Sequence, residues 1–373
     1  MKSAINIAFL TSSRADYGIY QPLLEVLKNE KLFHVELIAF GMHLLKNQGE
    51  TIKMIEENAF FPVHRINGVE EDDTPAGIVR SYGKLIANFS TFWKEKRYDA
   101  VICLGDRFEM NAAVQSLIPF GYPIVHLHGG ETTLGALDNI YRHQITLAAK
   151  VHFTAAEAFS KRVKELISSD QGIYTVGSIS LSTIKEMRLP DWNQVRSHFK
   201  LPNKPFVLTT FHPETAAGDK NKEYLQEVVR SIEAWKDRYH FVITLPNNDS
   251  YGSLFRKAFN QLSLDYPNSI SLVETFGRDN YFAAMNECVF LLGNTSSGII
   301  EAASFHKWVI NVGSRQEGRL RSDNVFDVPF DQKTIGQAIE KIEHDASNFT
   351  GDNIYFQENT LERIVEILKN EFV

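Results

Sequence analysis

Apolar residues occur along this chain in short continuous runs that alternate with stretches of helical periodicity. Ile5 to Leu10 and Val35 to Phe40 are near-continuous apolar runs, and Leu23, Leu24 and Leu27 between them have helical spacing. Strands that are apolar on both faces are typical of a parallel sheet covered by helices on both sides. The beginning of the chain is therefore predicted to be a doubly wound α/β domain.

The same alternation continues and then restarts after Leu201-Pro202-Asn203-Lys204-Pro205. Further elements of the first half are predicted to be strands at Ala100 to Leu104, Ile124 to Leu127 and Val151 to Thr154, and helices at Ala76 to Lys94 and Phe108 to Leu117. Strands of the second half are predicted at Phe206 to Thr210, Phe241 to Leu245, Ile270 to Val273, Val289 to Leu292 and Val309 to Val312.

The predicted fold class is therefore α/β, with two doubly wound Rossmann-like domains. We expect the first domain over residues 1–178 and the second over 190–356, with the link between Gly177 and Pro190. Residues 357–373 are predicted to contain an amphipathic helix that packs back on the first domain.

Composition narrows the class of protein. The chain has 373 residues, of which 43% are hydrophobic and 23% charged, so two domains of ordinary size are expected. No apolar run reaches membrane-spanning length and the first residues lead directly into a strand, so a cytoplasmic location is expected. Cys103 and Cys288 lie in apolar runs of different halves, which predicts neither a disulfide nor a metal site. The net charge of −7 disfavours nucleic acid as a partner.

The stretch from Gly293 to Glu301 is the strongest candidate for an anion-binding site. It lies between a predicted strand and the helical stretch from Ile299 to Phe305, and it is rich in glycine and hydroxyl side chains. The N-terminus of a helix offers unpaired N–H groups and partial positive charge. Thr295, Ser296, Ser297 and Gly298 are therefore candidate phosphate-binding residues, and Glu301 could accept hydrogen bonds from a ribose. The alternative is an ordinary capped helix.

In an open parallel sheet, ligands bind where loops leave the carboxyl ends of strands. The first predicted strand is followed by Arg14 and Asp16, and the strand ending at Leu104 is followed by Asp106 and Arg107. These loops place carboxylates and guanidinium groups at one rim of the sheet. The alternative for Asp106 is a helix N-cap beside a surface arginine.

A further strand ends in His126-Leu127-His128-Gly129-Gly130-Glu131, and Asp138 follows in the loop before Arg142. The two histidines are two residues apart on a strand and are therefore expected to point the same way. They could bind a metal, but acid–base chemistry is favoured, because clustered carboxylates raise one another's pKa. Asp106, Glu131, Asp138 and His128 are the predicted acid–base groups. An (i, i+4) helix pair between Asp138 and Arg142 is the alternative.

The strand ends of the second half supply other candidates. His212 follows one strand and could bind a phosphate as an imidazolium or exchange a proton. Asn247 follows the next, in a Pro-Asn-Asn-Asp stretch that is also typical of a simple turn. Phe276 could frame a base, and Arg315 follows the strand after the predicted anion site.

In their order along nearly the whole chain, these motifs resemble the hydrolysing UDP-N-acetylglucosamine 2-epimerases of sialic-acid-type biosynthesis. The motifs are Ser13-Arg14-Ala15-Asp16-Tyr17, Gly41-Met42-His43-Leu44, Leu104-Gly105-Asp106-Arg107, Gly129-Gly130-Glu131 through Asp138 and Arg142-His143, His212-Pro213-Glu214-Thr215, Pro246-Asn247, Gly293 to Glu301, and Gly313 to Arg319. The resemblance implies a GT-B fold, in which the nucleotide sugar lies between two Rossmann-like domains and the second domain holds most of the UDP.

The resemblance also implies roles for individual residues. Those that match UDP-contacting positions are Arg14, His212, Asn247, Thr295, Ser296, Glu301 and Arg315, with the Phe276 backbone beside the uracil. Asp106 and Asp138 match catalytic carboxylates. Asp16, His43, Arg107, Ser297 and Gly298 complete the predicted substrate-binding set.

One departure concerns the acid–base set, since many relatives carry glutamate where this chain has His128. The role of that glutamate falls here to His128 or to Glu131, with a slight preference for the carboxylate of Glu131. The implied reaction eliminates UDP to give a 2-acetamidoglycal and then adds water, and it needs no metal or other cofactor. His212 is a further candidate acid–base group.

Substrate and assembly are less determined. The resemblance favours UDP-N-acetylglucosamine, with UDP-N,N'-diacetylbacillosamine as the alternative sugar nucleotide, and it makes a homodimer or dimer of dimers the default. A GT-B glycosyltransferase or a non-catalytic nucleotide-sugar sensor would use the same UDP site. The carboxylate cluster in the first half disfavours the glycosyltransferase.

Overall fold

The computed structural model describes residues 4–46, 50–72, 74–132, 134, 138–246, 251–345 and 347–373. Internal contacts divide the chain into two compact units. The first unit contains Met1–Thr132, Leu137–Thr183 and Tyr355–Val373, and the second contains Thr133–Ala136 and Ile184–Ile354. The chain therefore leaves the first unit and returns to it at its end.

The first unit alternates strands and helices along the sequence. Its elements are β1 (Ile5–Thr11), α1 (Arg14–Lys28), β2 (Phe33–Phe40), α2 (Ile52–Asn58), β3 (Val63–Ile66), α3 (Pro75–Glu95), β4 (Ala100–Leu104), α4 (Phe108–Leu117), β5 (Ile124–Leu127), α5 (Asp138–Ala148), β6 (Val151–Thr154), α6 (Glu157–Ile167) and β7 (Ile173–Thr175). The strands form one sheet in the order β3-β2-β1-β4-β5-β6-β7, and every adjacent pair is parallel.

The second unit repeats this plan. Its elements are α7 (Trp192–His198), β8 (Phe206–Thr210), α8 (Asn221–Trp235), β9 (His240–Thr244), α9 (Gly252–Asp265), β10 (Ile270–Val273), α10 (Arg278–Glu287), β11 (Leu291–Gly293), α11 (Ser296–Ile300), β12 (Val309–Val312), β13 (Val325–Val328) and α12 (Gln332–Asp345). Its parallel sheet has the order β10-β9-β8-β11-β12-β13.

Both sheets thus reverse their strand order beside their first strand, between β1 and β4 and between β8 and β11. Loops that leave the carboxyl ends of strands at such a switch point form a crevice where ligands bind. The predicted fold class, α/β with two doubly wound Rossmann-like domains, is confirmed.

Each sheet is covered on both faces, as its continuous apolar strands predict. Along β1, Ile5, Ile7 and Phe9 pack in one apolar cluster, whereas Ala8 and Leu10 pack in another on the opposite face. The sheet of the second unit likewise separates two clusters. Burial on both faces fixes the strands and leaves their end loops for polar residues.

The last helix, α13 (Thr360–Phe372), belongs to the first unit. Leu361, Ile364 and Leu368 are buried in the cluster that also contains β1 residues. The hydroxyl of Thr360 donates to the Val176 carbonyl at 2.6 Å. The end of the chain therefore completes the core of the domain with which the chain begins.

Six strands have the bounds that their apolar runs predict: β4, β5, β6, β8, β10 and β12. The strand predicted from Val289 is shorter, since β11 begins at Leu291, and the following helix begins at Ser296 rather than Ile299. A short 3₁₀ turn then replaces the helix from Ala302 to Phe305. Within the described ranges, no helix has both the length and the apolar character needed to cross a bilayer.

Candidate functional site

Asp16 shapes the loop between β1 and α1. Its carboxylate accepts hydrogen bonds from the backbone N–H groups of Ser12 and Ser13, at 2.7 and 2.8 Å, and from the hydroxyl of Ser12 at 2.9 Å. Only 5% of Asp16 is exposed. Asp16, predicted to touch a ligand, is thus engaged in holding the loop, while Arg14 is exposed at the first residue of α1.

His43 lies behind this loop and is fully buried. Its Nε2 is 2.9 Å from the hydroxyl oxygen of Thr11, and its Nδ1 is 2.7 Å from that of Thr51. Burial lowers the pKa of His43, against the opposing effect of the Asp16 charge. Because both ring nitrogens have protein partners, His43 supports the loop from beneath.

Asp106 and Arg142 form an ion pair at the carboxyl end of β4. The guanidinium Nη2 of Arg142 donates to Asp106, although 36 positions separate the two residues. Arg142 is 4% exposed, and its Nε and Nη1 have no hydrogen-bond partner among the described residues. Asp106 is not the N-cap of α4, a position that Arg107 occupies. The pair holds a carboxylate at the switch point and leaves buried donors beside it.

Asp138 is the first residue of α5 rather than part of the preceding loop. The residue retains exposed surface, but protein atoms crowd its carboxyl group. This desolvation, followed by the charge of Asp106, raises the pKa of Asp138 to about 6, while Arg107 and Arg142 oppose the shift. Asp138 can therefore exchange a proton near neutral pH. The (i, i+4) alternative is not observed, since Arg142 pairs with Asp106.

Arg107 contributes to the charge of this cluster. Its guanidinium donates two hydrogen bonds to Glu109, with distances of 3.2 Å from Nε and 3.0 Å from Nη2. Glu109 is 1% exposed. Arg107 is thus anchored by its own helix and lies close enough to Asp138 to lower the pKa of that carboxyl.

His126 is a structural residue of β5. Its Nε2 lies 3.1 Å from the Gly105 carbonyl and its Nδ1 3.2 Å from the Thr146 hydroxyl. Burial lowers the pKa of His126 to about 3, so the ring is neutral. The expectation that His126 and His128 point the same way is wrong, because β5 ends at Leu127 and His128 has a left-handed φ of 63°.

His128 is paired with Glu131. The His128 Nδ1 lies 2.7 Å from Glu131 Oε1, and the Nε2 of His128 is a buried atom with no partner in the described parts of the chain. Among the described residues, no group of three or more His, Cys, Asp or Glu side chains is arranged to hold a metal ion. Asp106, Asp138, Arg107 and Arg142 thus gather at one rim of the first sheet, with the His128–Glu131 pair on the neighbouring loop.

In the second unit, Asn294 joins the loops that follow β8 and β11. Its amide oxygen accepts from the His212 N–H at 2.8 Å, and its amide nitrogen donates to the His212 carbonyl at 2.8 Å. The Asn294 carbonyl accepts from Arg315 at 3.2 Å and from Gln316 at 2.9 Å. This fully buried asparagine therefore fixes three predicted binding loops relative to one another.

The predicted anion site begins at Gly293, where the chain passes very close to β8. A Cβ atom at Gly293 would lie 1.9 Å from the Thr210 carbonyl oxygen, so no side chain fits there. Thr295 is the N-cap of α11, and its hydroxyl accepts from the Gly298 N–H at 3.3 Å. Ser296 is exposed, Ser297 is half-buried, and Glu301 follows the helix directly.

Glu214 holds the loop that carries Arg315. Its carboxylate accepts from the Ser314 N–H at 2.6 Å, the Ser314 hydroxyl at 2.7 Å and the Arg315 N–H at 2.9 Å. A Cβ atom at Gly313, where φ is 84°, would lie 2.4 Å from this carboxylate. The glycine and the glutamate together set the path of the loop.

His212 is neutral in this structure. Burial, and next the charge of Arg315, lower the pKa of His212 to about 3. Its Nδ1 is a buried atom with no hydrogen-bond partner among the described residues. This pKa makes the ring neutral near pH 7, and the predicted role of His212 at a phosphate, as an imidazolium or in proton exchange, stays a prediction.

Phe276 belongs to an apolar cluster of the second unit. Phe276 is 4% exposed and packs against Phe199, with ring centroids 4.6 Å apart, while its carbonyl accepts from Asn280 at 2.9 Å. Asn247 lies outside the described residues. The sequence analysis did not predict Arg142 and Asn294 as site residues. The signal for Asn294 is a polar residue at a strand end, and the signal for Arg142 is a cation near a predicted carboxylate.

Three comparisons with known proteins bear on this site. The model of the family described as UDP-N-acetylglucosamine 2-epimerase matches residues 25–369. The chain is 31% identical to UDP-N,N'-diacetylbacillosamine 2-epimerase (hydrolyzing) of Legionella pneumophila, over 97% of this chain and 95% of the relative. It is 29% identical to polysialic acid biosynthesis protein P7 of Escherichia coli, over 98% and 93% of the two chains.

Solved structures share the fold. UDP-GlcNAc 2-epimerase from Neisseria meningitidis, solved with bound UDP-GlcNAc, superimposes with a TM-score of 0.78. The match covers 98% of this chain and 100% of the other at 16% identity.

Proposed function

The chain belongs to the UDP-N-acetylglucosamine 2-epimerase family, and from this premise we propose that it is a hydrolysing member that converts UDP-N-acetylglucosamine and water to N-acetylmannosamine and UDP. The observation that carries the proposal is the carboxylate cluster of the first unit. Asp106 is held by buried Arg142, and Asp138 has a pKa of about 6. Proton exchange at a sugar carbon needs such groups.

The proposed reaction has two stages. A base removes the proton from C2 while the bond between C1 and the UDP oxygen breaks, and the C2–H electron pair becomes the double bond of a 2-acetamidoglycal. Water then adds at C1 while an acid returns a proton to C2 from the opposite face. The product has the manno configuration, and two distinct proton-transfer groups are required.

The second unit supports the UDP assignment. Its loops after β8, β11 and β12 are joined by Asn294 and Glu214, so hydrogen bonds within the protein hold the loops that carry His212, Thr295 and Arg315. Prior ordering reduces the entropy lost on binding. We propose that a set of residues contacts UDP: Arg14, His212, Asn247, Phe276, Thr295, Ser296, Ser297, Gly298, Glu301 and Arg315. The structural relative from N. meningitidis binds UDP-GlcNAc, which supports this ligand class.

A second substrate is UDP-N,N'-diacetylbacillosamine. The L. pneumophila relative, 31% identical over nearly the full chain, is named for that activity. The same elimination and hydration would apply, because the two sugars differ at C4 and C6 and not at C1 or C2. The substrate choice concerns groups at C4 and C6 and leaves the acid–base chemistry unchanged.

Both proposals are tested by incubating the purified chain with each UDP-sugar in D2O. UDP release and the free sugar are followed by NMR. We expect release of UDP together with a free 2-acetamido sugar that carries deuterium at C2. A UDP-sugar epimer without UDP release would identify a non-hydrolysing epimerase, and release without deuterium would contradict the elimination.

We further propose a cytoplasmic homodimer that requires neither a metal nor a redox cofactor. Sedimentation of the active protein should give twice the chain mass, and turnover should be unchanged by EDTA. A monomer with full turnover, or loss of turnover on chelation that added metal restores, would contradict the respective part.

A further inference from the structure

The loop after β5 holds His128 in an uncommon position. Its φ of 63° is left-handed, a conformation that few residues other than glycine adopt, and its N–H donates to the Phe153 carbonyl of β6 at 2.9 Å. Gly130, two residues later, also has a left-handed φ, and a Cβ atom there would lie 2.4 Å from the Phe159 carbonyl oxygen. The backbone is thus constrained on both sides of the loop, and the imidazole itself is held by its contact with Glu131.

The hydrogen bond with Glu131 determines which nitrogen carries the proton. A carboxylate only accepts hydrogen bonds, so a neutral imidazole whose Nδ1 lies 2.7 Å from Glu131 Oε1 has its proton on Nδ1. The lone pair of the ring is then on Nε2. A carboxylate therefore selects the tautomer in which Nε2 is a base.

The Nε2 atom has been left without a partner. It is buried, and the described residues provide it with no hydrogen bond. Leaving such an atom unpaired destabilises the folded protein, so buried exceptions call for an explanation. An acceptor that takes a proton only when substrate is bound provides one.

Glu131 is poorly placed to do this itself. It is 3% exposed, and its Oε1 is bonded to His128. The His128 side chain is more accessible, at 13%. Within the described ranges, His128 Nε2 is a buried basic atom with no protein partner, whereas Glu131 Oε1 is already bonded to the imidazole.

We propose that His128 Nε2 is the base that removes the C2 proton and that Glu131 is a positioning residue that holds the imidazole in the reactive tautomer. The inference rests on the proposed elimination. The C2–H bond breaks, its proton passes to Nε2, its electron pair forms the C1–C2 double bond, and UDP leaves with the electron pair of the C1–O bond. The imidazolium that results is neutralised by Glu131, and its new proton exchanges with solvent.

Asp138 is the complementary acid. It begins α5, the helix that also carries the Arg142 paired with Asp106, and desolvation together with the Asp106 charge raises its pKa to about 6, so it can return a proton to C2. With His128 as the base and Asp138 as the acid, both proton transfers have a group assigned to them. Each group returns to its starting protonation state by exchange with solvent.

The tautomer is tested directly in the unliganded protein by nitrogen-15 NMR of histidine-labelled chain, with His128→Gln used to assign the signal. We expect a proton on Nδ1 in the wild type. In Glu131→Ala the carboxylate is absent, and we expect the Nε2-protonated form to become populated. A proton on Nε2 of the wild-type ring would overturn the inference whatever the activity.

Turnover of the variants is then measured and compared with the tautomer that NMR shows for each of them. His128→Gln, which keeps a polar side chain of similar length, should lower turnover about 10²–10⁴-fold, as removal of a general base does, and should keep UDP affinity. Glu131→Gln can present either its oxygen or its NH2 group to Nδ1, so its turnover should follow whichever tautomer NMR shows. High turnover with the proton on Nε2, or wild-type turnover in His128→Gln, would overturn the inference.

A double variant separates positioning from folding. His128→Glu places a carboxylate at this position, which needs no tautomer, so the Glu131→Ala change should cost much less turnover in that background than in the wild type. An equal loss in both backgrounds would show that Glu131 acts only in folding and would overturn its assigned role. If the wild type itself releases no UDP from any UDP-sugar, the proposed function fails, and this result is distinct from failure of the dyad.

Discussion

The sheets of the two units share the order of their first six strands, to which the first unit adds β7, but their switch points are built differently. In the first unit the strand-end side chains are charged or titratable, and Arg142 and His128 retain buried atoms without partners in the described chain. In the second unit the joining side chains are satisfied, since both amide atoms of Asn294 and both carboxylate oxygens of Glu214 are hydrogen-bonded. The first switch point thus carries charged and titratable groups. The second is joined by the hydrogen bonds of Asn294 and Glu214, here called the binding frame, beside which His212 Nδ1 has no partner among the described residues.

The largest expected effect tests the reactive side. Asp106→Asn and Asp138→Asn should each lower turnover about 10²–10⁴-fold, because an amide cannot exchange the proton, while UDP affinity is kept. Steady-state kinetics and calorimetric titration with UDP measure the two quantities. Asp170→Asn, which alters an exposed carboxylate bonded to Lys164, is the matched control and should have wild-type turnover. Near-normal turnover in Asp106→Asn would contradict the assignment of acid–base groups to the switch point of the first unit.

Acid stability is the next largest effect. His126 and His152 are buried on adjacent strands, and burial lowers the pKa of His126 to about 3 and that of His152 to about 4. In the unfolded chain, each imidazole takes up a proton near the ordinary histidine pKa of about 6.5. In the folded chain, it stays neutral until the pH is lower. The contribution of these neutral histidines to the free energy of unfolding is therefore fully present above pH 6.5. It is lost as the pH falls toward 4, by roughly 2–3 kcal/mol for each histidine.

His152→Leu should reduce this loss, because leucine takes up no proton. Urea unfolding at pH 7.5 and at pH 4.5 gives the two free energies of unfolding. His34→Leu, at an exposed position of β2, is the control and should leave the pH dependence unchanged. If both variants lose the same stability on acidification, buried histidines of the first unit do not explain it.

A third test concerns the binding frame. Asn294→Ala removes the partners of the His212 N–H and carbonyl, and each buried polar group left unpaired costs about 1–3 kcal/mol. UDP affinity and the stability of the second unit should both fall, and Asn286→Ala, at an exposed position on α10, should change neither. Unchanged UDP affinity in a folded Asn294→Ala protein would mean that the frame does not organise the site.

The smallest effect should come from Arg315→Ala. A single charge-assisted hydrogen bond is worth about 1.5 kcal/mol, so UDP affinity should fall about 10-fold while turnover at saturating substrate is nearly retained. Arg230→Ala, which alters an exposed arginine of α8, provides the matched control. A loss confined to turnover would sharpen the comparison by assigning Arg315 to the chemistry instead of the frame.

Elements with continuous apolar runs are the ones that the sequence predicts well. β4 and β8 are buried along their whole lengths, so their bounds follow directly from composition. β3, β7 and β13 are missing from the sequence-based prediction. They are short edge strands with polar, half-exposed residues, such as His64 and Arg65 in β3, and their pattern does not differ from that of a loop.

The candidate site is predictable in its residue types but not in its pairings. Strand ends direct attention to Asp106 and His212, but they do not predict that the partner of Asp106 is Arg142, which lies on α5 beside β5. The direction of His128 depends on one left-handed residue that an alternating strand pattern does not foresee. Long-range pairing and single dihedral angles are set by the tertiary structure, which local sequence does not encode.

The position of α13 has a consequence for synthesis on the ribosome. Because α13 fills the core of the first unit, that domain lacks part of its interior until α13 has left the exit tunnel, whereas the second unit is complete at Ile354. We expect the domain translated second to become protease-resistant first, which reverses the usual vectorial order. Pulse proteolysis of stalled nascent chains that end before and after α13 would measure it, and early protection of the first domain would contradict it.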